Sequence, residues 1–155
     1  MLYIWPMELS HEQKEILKGR ICPYCKAKTN YVDSAIVYGK SYGMIYYCDP
    51  CKAWTGVHKG TNKALGRLAN YELREWKKEA HLYFDKIWQL NIMKRKEAYA
   101  WLSNKLGIPT QYTHIGMFSV KTCQEVVYLS KQFLNDNRRL DLDFGQEPVT
   151  EYFEI

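Results

Sequence analysis

The pattern of apolar and polar positions is clearest after residue 70, where it has the period of an α-helix. Apolar side chains return every three or four positions and form one continuous stripe: Leu73, Trp76, Ala80, Phe84 and Ile87. Asn70 is suited to the N-cap, and the period ends near Leu90, which predicts a helix between them. Arg74 and Lys78 fall on the opposite side, where Glu79 is one of the acids that dilute the positive charge.

Two further helices are predicted after this one. The second covers about residues 94–106, because Gly107 suits the position after a helix end and Pro109 prevents continuation. The third covers about residues 120–134, with Ser119 as its N-cap. The second half of the chain is therefore predicted to be a compact block of about three helices.

The first third of the chain is predicted to begin with one short helix and to continue as strands. The helix covers about residues 12–19, since Ser10 is a suitable N-cap and Gln13 stands at the capping-box spacing. Runs of β-branched and aromatic residues predict strands over 31–38, 44–47 and, more briefly, 53–57. The first two strands are joined by a turn that contains Gly39 and Gly43.

Four cysteines in this β region form two C-x-x-C pairs, Cys22 with Cys25 and Cys48 with Cys51, and 22 residues separate the pairs. This spacing is close to that of four-cysteine zinc sites. Two thiolates on a tight turn can occupy two corners of a tetrahedron about 2.3 Å from Zn²⁺, and a β-hairpin brings the second pair to the other two corners. Because the protein would fill all four positions, the predicted Zn²⁺ is structural and the fold around it is a zinc ribbon.

Other uses of the cysteines fit the sequence less well. A redox C-x-x-C needs a single pair beside a βαβ pattern, and two disulfides suit a secreted chain. Iron–sulfur ligation by four cysteines stays open but is less common at this spacing. Cys123 stands apart on an apolar helical face and is interpreted as a small buried hydrophobe.

These elements together predict an α+β protein, in which a four-cysteine zinc ribbon with a short antiparallel hairpin or three-stranded sheet precedes about three helices. The predicted organisation is an N-terminal helix over residues 1–20, the ribbon over 21–62, the helical block over 63–139 and an acidic tail over 140–155. The tail is too short and too polar to fold alone.

Charge is distributed unevenly over the 155 residues. The net formal charge is +5, but residues 140–155 hold five acids and no base, so the rest of the chain carries +10. A basic body favours a polyanionic partner, most simply nucleic acid. No apolar run reaches the roughly 18 to 20 residues that span a bilayer. Residues 1–6 also lack the basic start of a signal peptide, so we expect a cytoplasmic protein without a membrane segment.

Aromatic and basic residues interleave in and after the ribbon, an arrangement that suits unstacked bases beside phosphates. The candidates for base stacking are Tyr38, Tyr42 and Trp54. The candidates for phosphate contacts are Lys40, Lys59, Arg67, Arg74 and Lys78. His58 lies in a basic loop with glycines whose backbone N–H groups can hold a phosphate, and we interpret it as the residue that locks this loop. A solvated connector is the alternative interpretation of the loop.

A series of short motifs runs in order through about residues 22–134: CPYC, YGKSYG, CDPC, VHKGT, LGRLA, EAYAWL and HIGMF. With these motifs the chain resembles a family of uncharacterised zinc-finger-containing proteins encoded by bacteria, their phages and mobile elements. Ala64 precedes LGRLA, whereas members of the family often have Pro there. The resemblance implies a zinc ribbon fused to a helical block, and it implies no established activity.

Three hypotheses for function follow. The first is a non-enzymatic module that binds single-stranded or distorted nucleic acid. The second is a protein-interaction adaptor or mobile-element accessory factor that docks on a host enzyme, with residues 152–155 as one contact. The third is a nuclease or other hydrolase built around His58 and His114, although no carboxylate cluster or nucleophile motif accompanies them. The sequence leaves the oligomeric state open.

Overall fold

A computed structural model describes residues 8–137, which form an α+β protein with a small antiparallel sheet followed by helices. The chain divides into two compact units, and the boundary falls between Arg74 and Glu75. We call residues 8–74 the ribbon unit and residues 75–137 the helical unit. The predicted fold class is confirmed, whereas the predicted acidic tail over 140–155 lies outside the described residues.

The ribbon unit contains two short helices and a three-stranded antiparallel sheet. Its elements are α1 (His11–Leu17), β1 (Asn30–Asp33), α2 (Ala35–Tyr38), β2 (Met44–Cys48) and β3 (Ala53–Thr55). The order of the strands in the sheet is β1-β2-β3. Tyr31 lies opposite Tyr46, and Tyr47 lies opposite Trp54. Since successive side chains of a strand point to opposite faces, Tyr31 and Tyr46 share one face of the sheet, while Tyr47 and Trp54 share the other.

The strand predicted over 31–38 is wrong in its second half, which is a helix. β1 ends at Asp33, and α2 begins after Ser34. Oδ1 of Asp33 accepts a hydrogen bond from the N–H of Ala35 at 2.8 Å, and Gly39 ends the helix with a φ of 74°. This local bond between a side chain and the backbone turns the chain out of the sheet, and it outweighs the β-forming side chains that favoured a strand.

α1 begins with the predicted capping box. Oγ of Ser10 accepts a hydrogen bond from the N–H of Gln13 at 3.1 Å, and Oε1 of Gln13 accepts one from the N–H of Ser10 at 2.7 Å. The chain leaves α1 through Gly19, which has a φ of 75°. A Cβ atom at Gly19 would lie 2.8 Å from the Cβ of Ala64, so the two segments pass too closely for a side chain.

The three predicted long helices are confirmed. They are α3 (Tyr71–Gln89), which starts in the ribbon unit, α4 (Arg95–Leu106) and α5 (Val120–Asp136). Two short 3₁₀ turns, Thr110–Tyr112 and Ile115–Met117, lie between α4 and α5. None of the helices between residues 8 and 137 combines the length and the apolar character that crossing a bilayer requires.

The predicted ends of these helices are also present. Oδ1 of Asn70 accepts a hydrogen bond from the N–H of Leu73 at 3.0 Å at the start of α3. Oγ of Ser119 accepts one from the N–H of Thr122 at 3.3 Å at the start of α5. Gly107 ends α4 in the left-handed conformation, with a φ of 69°.

Apolar residues from all three helices form the core of the helical unit. Its largest fully buried side chains are Tyr83, Phe84, Ile87, Leu102, Ile115 and Val126. Cys123 is completely buried on α5, which agrees with its interpretation as a small hydrophobe. The stripe predicted on α3 thus packs inward at Ala80, Phe84 and Ile87.

The placement of Glu79 on the exposed side of α3 is wrong, because this side chain is buried. Tyr83, one turn later, is buried as well, so the inward arc of α3 is wider than the apolar stripe and includes Glu79. Oε2 of Glu79 has no hydrogen-bond partner among the described residues. Burial raises the pKa of Glu79, although the nearby charge of Lys131 acts in the other direction.

Candidate metal centre and aromatic surface

The four cysteines of the two C-x-x-C pairs converge on one point, as predicted. The Sγ atoms of Cys22, Cys25, Cys48 and Cys51 all lie within 4.8 Å of one another, and those of Cys25 and Cys48 are 3.7 Å apart. In a tetrahedral site with Zn–S bonds of about 2.3 Å, the sulfur atoms are about 3.8 Å apart. The side chains therefore fit a tetrahedral metal ion and leave no position for a water ligand.

Tight backbone turns present each pair of cysteines. The residue after the second cysteine of each pair is left-handed, with a φ of 65° at Lys26 and 50° at Lys52. In the first turn the N–H of Lys26 donates to the carbonyl oxygen of Cys22 at 2.9 Å, and the N–H of Tyr24 donates to the Sγ of Cys22 at 3.4 Å. The two turns thus share the same left-handed backbone after their second cysteine.

The thiols of the cluster differ in acidity. A hydrogen bond from the backbone of Ala27 lowers the pKa of Cys25 to about 7. Burial raises the pKa of Cys51 to about 12, and hydrogen bonds with the other three thiols act in the same direction. Burial also raises the pKa of Cys48. Because thiolates this close together repel each other, full ionisation of the cluster at neutral pH requires a cation between them.

Lys26 beside the first turn partly offsets the charge of the centre, whereas the lysine of the second turn is paired with an acid. Four thiolates and a divalent ion together carry a charge of about −2. The Nζ of Lys26 donates to the carbonyl oxygen of Pro23 at 3.1 Å, which keeps its ammonium group beside the first turn. In the second turn, the Nζ of Lys52 lies 2.9 Å from Oδ1 of Asp49, which also accepts a hydrogen bond from the hydroxyl of Tyr47 at 2.8 Å.

The cysteine cluster packs directly against the sheet. Cys22, Cys48, Ala53 and Leu68 form one buried cluster, and Tyr46 packs against it. Cys48 is the last residue of β2, and Ala53 is the first residue of β3. A metal ion held by the cysteines would therefore fix the connection between these two strands.

Three rings and two cations of the ribbon unit contact one another, and we call Tyr38, Tyr42, Trp54, Lys40 and Arg74 the aromatic surface. The ring of Tyr38 stands edge-on to the rings of Tyr42 and Trp54, with centroids 5.7 and 5.9 Å away. Nε1 of Trp54 donates to the hydroxyl of Tyr38 at 3.0 Å. Cζ of Arg74 lies 3.6 Å from the ring centroid of Trp54, and Nζ of Lys40 lies 5.8 Å from that of Tyr42. The structure thus brings these five predicted residues together.

The rings of the aromatic surface differ in the area that they leave free. Tyr42 is 72% exposed and Tyr38 is 53% exposed, whereas Trp54 is half-buried. Arg74 covers one face of Trp54, and its Nη1 donates to the carbonyl oxygen of Ala69 at 2.7 Å, which fixes the guanidinium group in place. Trp54 therefore supports Tyr38, and Tyr42 offers the largest free ring.

A cleft of about 460 Å³ adjoins the aromatic surface, and its lining includes Tyr42, Trp54 and Lys59. Its volume lies within the range of about 300 to 1,000 Å³ that is typical of small-ligand sites. Ser34 also lines the cleft, is buried, and accepts a hydrogen bond on its Oγ from the N–H of Tyr42 at 2.8 Å. Sequence reasoning missed Ser34; the signal that could have revealed it is the Asp33-Ser34 pair, which is typical of a turn or helix start.

His58 and Arg67, which were also predicted to contact a partner, lie in the ribbon unit outside the aromatic surface. His58 is exposed, and its backbone closes a turn. The N–H and the hydroxyl of Thr61 both donate to the carbonyl oxygen of His58, and the N–H of His58 donates to the carbonyl oxygen of Lys63. Its ring has no hydrogen bond to the described residues. Arg67 is half-buried, and its charge acts to lower the pKa of Tyr24, which burial raises.

Two further candidates, Lys78 and His114, belong to the helical unit. Nζ of Lys78 lies 3.0 Å from Oε2 of Glu75, so an exposed ion pair engages its charge. The exposed ring of His114 lies 6.2 Å from that of Tyr99, centroid to centroid. The hydrolase hypothesis, which needs His58 and His114 in one site, stays a prediction.

Comparison with known families supports the metal centre. A family model described as a zinc-finger-containing domain matches residues 18–133, about three quarters of the chain. The matched span contains both cysteine pairs, the whole sheet and most of the helical unit. Neither a curated protein nor a solved structure matches the chain.

Proposed function

The chain belongs to a family of zinc-finger-containing domains, and on this basis we propose that it binds single-stranded or distorted nucleic acid through the aromatic surface. The observation that carries the proposal is the contact of three rings with two cations beside an open cleft. In this proposal the module is non-enzymatic, and the metal centre orders the sheet that presents the rings.

Zn²⁺ is the ion that we propose for the metal centre. Four thiolates at tetrahedral spacing are a typical ligand set of structural zinc. Zn²⁺ has no redox chemistry, and a site closed by four sulfur ligands does not activate water. Its contribution is to hold the two cysteine turns together and thereby to fix the end of β2 and the start of β3.

Stacking on Tyr42 is the main contact that we propose with the bases. A base stacked on an aromatic side chain contributes about 1 to 3 kcal/mol to binding, whatever its identity. Only unpaired or displaced bases expose a face to such a ring, so single strands and distorted duplexes are favoured over regular duplexes. The edge-on contact with Tyr38, which Trp54 supports in turn, holds Tyr42 in position.

Phosphate contacts are assigned to the cations around these rings. Lys40 and Arg74 belong to the aromatic surface, Lys59 lines the adjoining cleft, and Arg67 lies in the same unit. Each phosphate contact with a single strand lowers the slope of log K against log salt by about 0.7. Four contacts would give a slope of about −3.

Fluorescence anisotropy with a labelled oligodeoxythymidine of about 15 nucleotides tests this proposal. We expect binding at about 50 mM salt that weakens as salt is added, and a loss of about 5- to 150-fold in affinity for Tyr42→Ala. Tyr128→Ala, at an exposed tyrosine of the helical unit, is the matched control and should bind like the wild type. Absence of binding at low salt, an affinity that salt does not change, or equal losses in both variants would contradict the proposal.

A protein-interaction adaptor is the second candidate, and the exposed apolar residue Ile36 favours it. Ile36 is 60% exposed on α2, the helix that also carries Tyr38 of the aromatic surface. Its apolar side chain has no role in the contacts that we propose with bases and phosphates. Ile36→Asp should abolish capture of a protein partner and leave oligonucleotide affinity unchanged if this second candidate is right. The acidic end that was predicted as an adaptor contact, residues 152–155, lies outside the described residues.

The setting that we propose for this activity is the cytoplasm of a bacterium or of a phage-infected cell. The motif resemblance supports the bacterial or phage source. A reducing cytoplasm would keep the four thiols available for the metal ion instead of oxidising them to disulfides.

A further inference from the structure

A second cleft of the ribbon unit, of about 650 Å³, lies on the face of the sheet opposite to Trp54. Tyr31 and Tyr46 line it, with ring centroids 4.9 Å apart. Among the residues that the structure describes, three cations line it, Arg20, Lys26 and Lys28, and one acid, Glu15. The cleft is therefore basic and aromatic, and it shares no lining residue with the aromatic surface.

Backbone hydrogen bonds join the two short segments that carry Arg20 and Lys28. Ile21 pairs with Lys28 in an antiparallel bridge, and the N–H of Thr29 donates to the carbonyl oxygen of Arg20 at 3.0 Å. The hydroxyl of Thr29 donates to the carbonyl oxygen of Gly19 at 2.6 Å. The backbone at Arg20 and Lys28 is thus held in place before any ligand arrives.

Acidic groups neutralise these cations only in part. Nη1 of Arg20 lies 3.9 Å from Oε1 of Glu15, and Nζ of Lys18 lies 3.8 Å from the other carboxylate oxygen of the same residue. Both distances are long for a charge-assisted hydrogen bond, and one carboxylate is shared between two cations. The ammonium group of Lys28 has no hydrogen bond or ion pair to the described residues. This excess of positive charge favours an anionic ligand.

We propose that this second cleft binds a nucleotide, with its phosphate on Arg20 and Lys28 and its base on Tyr31. A guanidinium group can hold a phosphate through two parallel hydrogen bonds, and an ammonium group adds a point charge. Tyr31 is 43% exposed and has Tyr46 beside it, so its ring is available and supported. The volume of the cleft is in the range of small-ligand sites.

Two ligands share this chemistry. One is a nucleotide unit of a nucleic-acid strand, and the other is a free nucleoside phosphate. In the first case the cleft extends the proposed function to the other face of the sheet and rests on it. In the second case the cleft is an independent site. The experiment below therefore uses two probes, an oligodeoxythymidine of about 15 nucleotides and thymidine 5′-triphosphate.

The test compares the full-length wild type with the double variant R20Q/K28Q and with Tyr31→Ala. We expect the double variant to lose at least tenfold in affinity for one or both probes, and Tyr31→Ala to weaken binding of the same probe. If the oligonucleotide is affected, its salt slope should fall by about 1.4, because two phosphate contacts are removed. Lys14→Gln is the control, since Lys14 is an exposed lysine of α1 that does not line the cleft.

The outcomes separate this inference from the proposed function. A loss for the oligonucleotide alone identifies a strand as the ligand, and a loss for thymidine triphosphate identifies a free nucleotide. If Tyr42→Ala weakens oligonucleotide binding while R20Q/K28Q changes neither probe, the second cleft is not a nucleotide site but the proposed function stands. If R20Q/K28Q weakens binding of a probe while Tyr42→Ala leaves oligonucleotide binding unchanged, the second cleft is supported and the proposed function is contradicted. The inference would be overturned if Lys14→Gln lost as much affinity as R20Q/K28Q, or if the wild type bound neither probe. If the double variant loses its bound metal, the single variant Lys28→Gln replaces it in the same comparison.

Discussion

At Gly19, the backbone conformation and the close packing both disfavour a residue with a side chain. Its φ of 75° is in the left-handed region, and an added Cβ would lie 2.8 Å from the Cβ of Ala64. Gly60 has almost the same φ, 76°, but no atom of the described residues would lie within 4 Å of an added Cβ there. The two glycines therefore allow backbone strain to be measured separately from steric overlap.

Alanine at Gly19 should destabilise the protein more than alanine at Gly60. Left-handed backbone costs a residue with a side chain about 1 to 2 kcal/mol, which should be the whole effect of Gly60→Ala. Gly19→Ala adds the cost of overpacking, about 1 to 3 kcal/mol. Urea denaturation of the metal-loaded proteins measures both free energies of unfolding; equal losses would show that the approach of residue 64 to Gly19 does not matter.

Glu79 is a residue through which pH should act on the helical unit. Burial raises its pKa above the ordinary value of 4.5, and the opposite effect of Lys131 is smaller. The folded protein therefore holds a proton on Glu79 at pH values where the unfolded chain has released it. Between the unfolded and the folded pKa, the free energy of unfolding consequently falls as pH rises.

Glu79→Gln should remove this dependence. The variant keeps a neutral side chain at all pH values, so its stability relative to the wild type should increase as pH rises from about 4.5 toward 7. Comparing the two proteins at each pH cancels the contribution of the metal centre, which is common to both. Glu72→Gln, at an exposed acid of the same helix that does not act on the pKa of Glu79, is the control. A stability difference that stays constant with pH would contradict the raised pKa of Glu79.

α2 shows why a short element can escape sequence reasoning. Residues 35–38 have side chains that suit a strand, and four residues are too few for a helical period to appear. Besides the local bond to Asp33, contacts with residues further along the chain hold this segment. The N–H of Ser34 donates to the carbonyl oxygen of Gly43 at 2.8 Å, and the N–H of Tyr42 donates to the Oγ of Ser34. These two bonds close the loop that places Tyr42 beside Tyr38.

Ser34→Ala should therefore affect stability and oligonucleotide binding together. Removal of its Oγ leaves the N–H of Tyr42 without its partner, which costs about 1 to 3 kcal/mol when the group is buried. The looser loop should also weaken oligonucleotide binding if Tyr42 is the stacking ring. Ser103→Ala is the control, because it removes a hydroxyl that donates to the carbonyl oxygen of Ile108 at 2.6 Å in the helical unit, and it should leave oligonucleotide binding unchanged. Urea unfolding measures the effect on stability, and fluorescence anisotropy measures the effect on binding. Equal changes in oligonucleotide affinity in both variants would show that Ser34 has no special role in placing Tyr42.

The features that could be predicted from the sequence are those that depend on nearby residues or on long periodic stretches. The cysteine pairs, the caps at Ser10, Asn70 and Ser119, and the helices α3 to α5 belong to this class. The burial of Glu79, the support of Trp54 by Arg74 and the second cleft depend on how distant segments pack, and the local pattern does not contain that information. The candidate residues of the aromatic surface could be named from composition, but their ranking by free ring area required the structure.

For the molecule as a whole, the metal centre is the feature on which the other conclusions depend. The ribbon unit has a small buried cluster around Cys22, Cys48, Ala53 and Leu68, and units with little apolar core commonly need a metal ion to fold. Both clefts are lined by residues of the sheet that this centre adjoins. Loss of the metal should therefore disturb the sheet and every binding property assigned to it.

Metal analysis of protein purified under reducing conditions tests this claim most directly, together with melting curves before and after a strong chelator. We predict one zinc ion per chain in the wild type and in Cys123→Ala, a marked loss of zinc in Cys25→Ser, and a lower melting temperature with loss of oligonucleotide binding after chelation. A wild type without stoichiometric metal, or a melting temperature that the chelator leaves unchanged, would show that no structural metal ion holds the ribbon unit together.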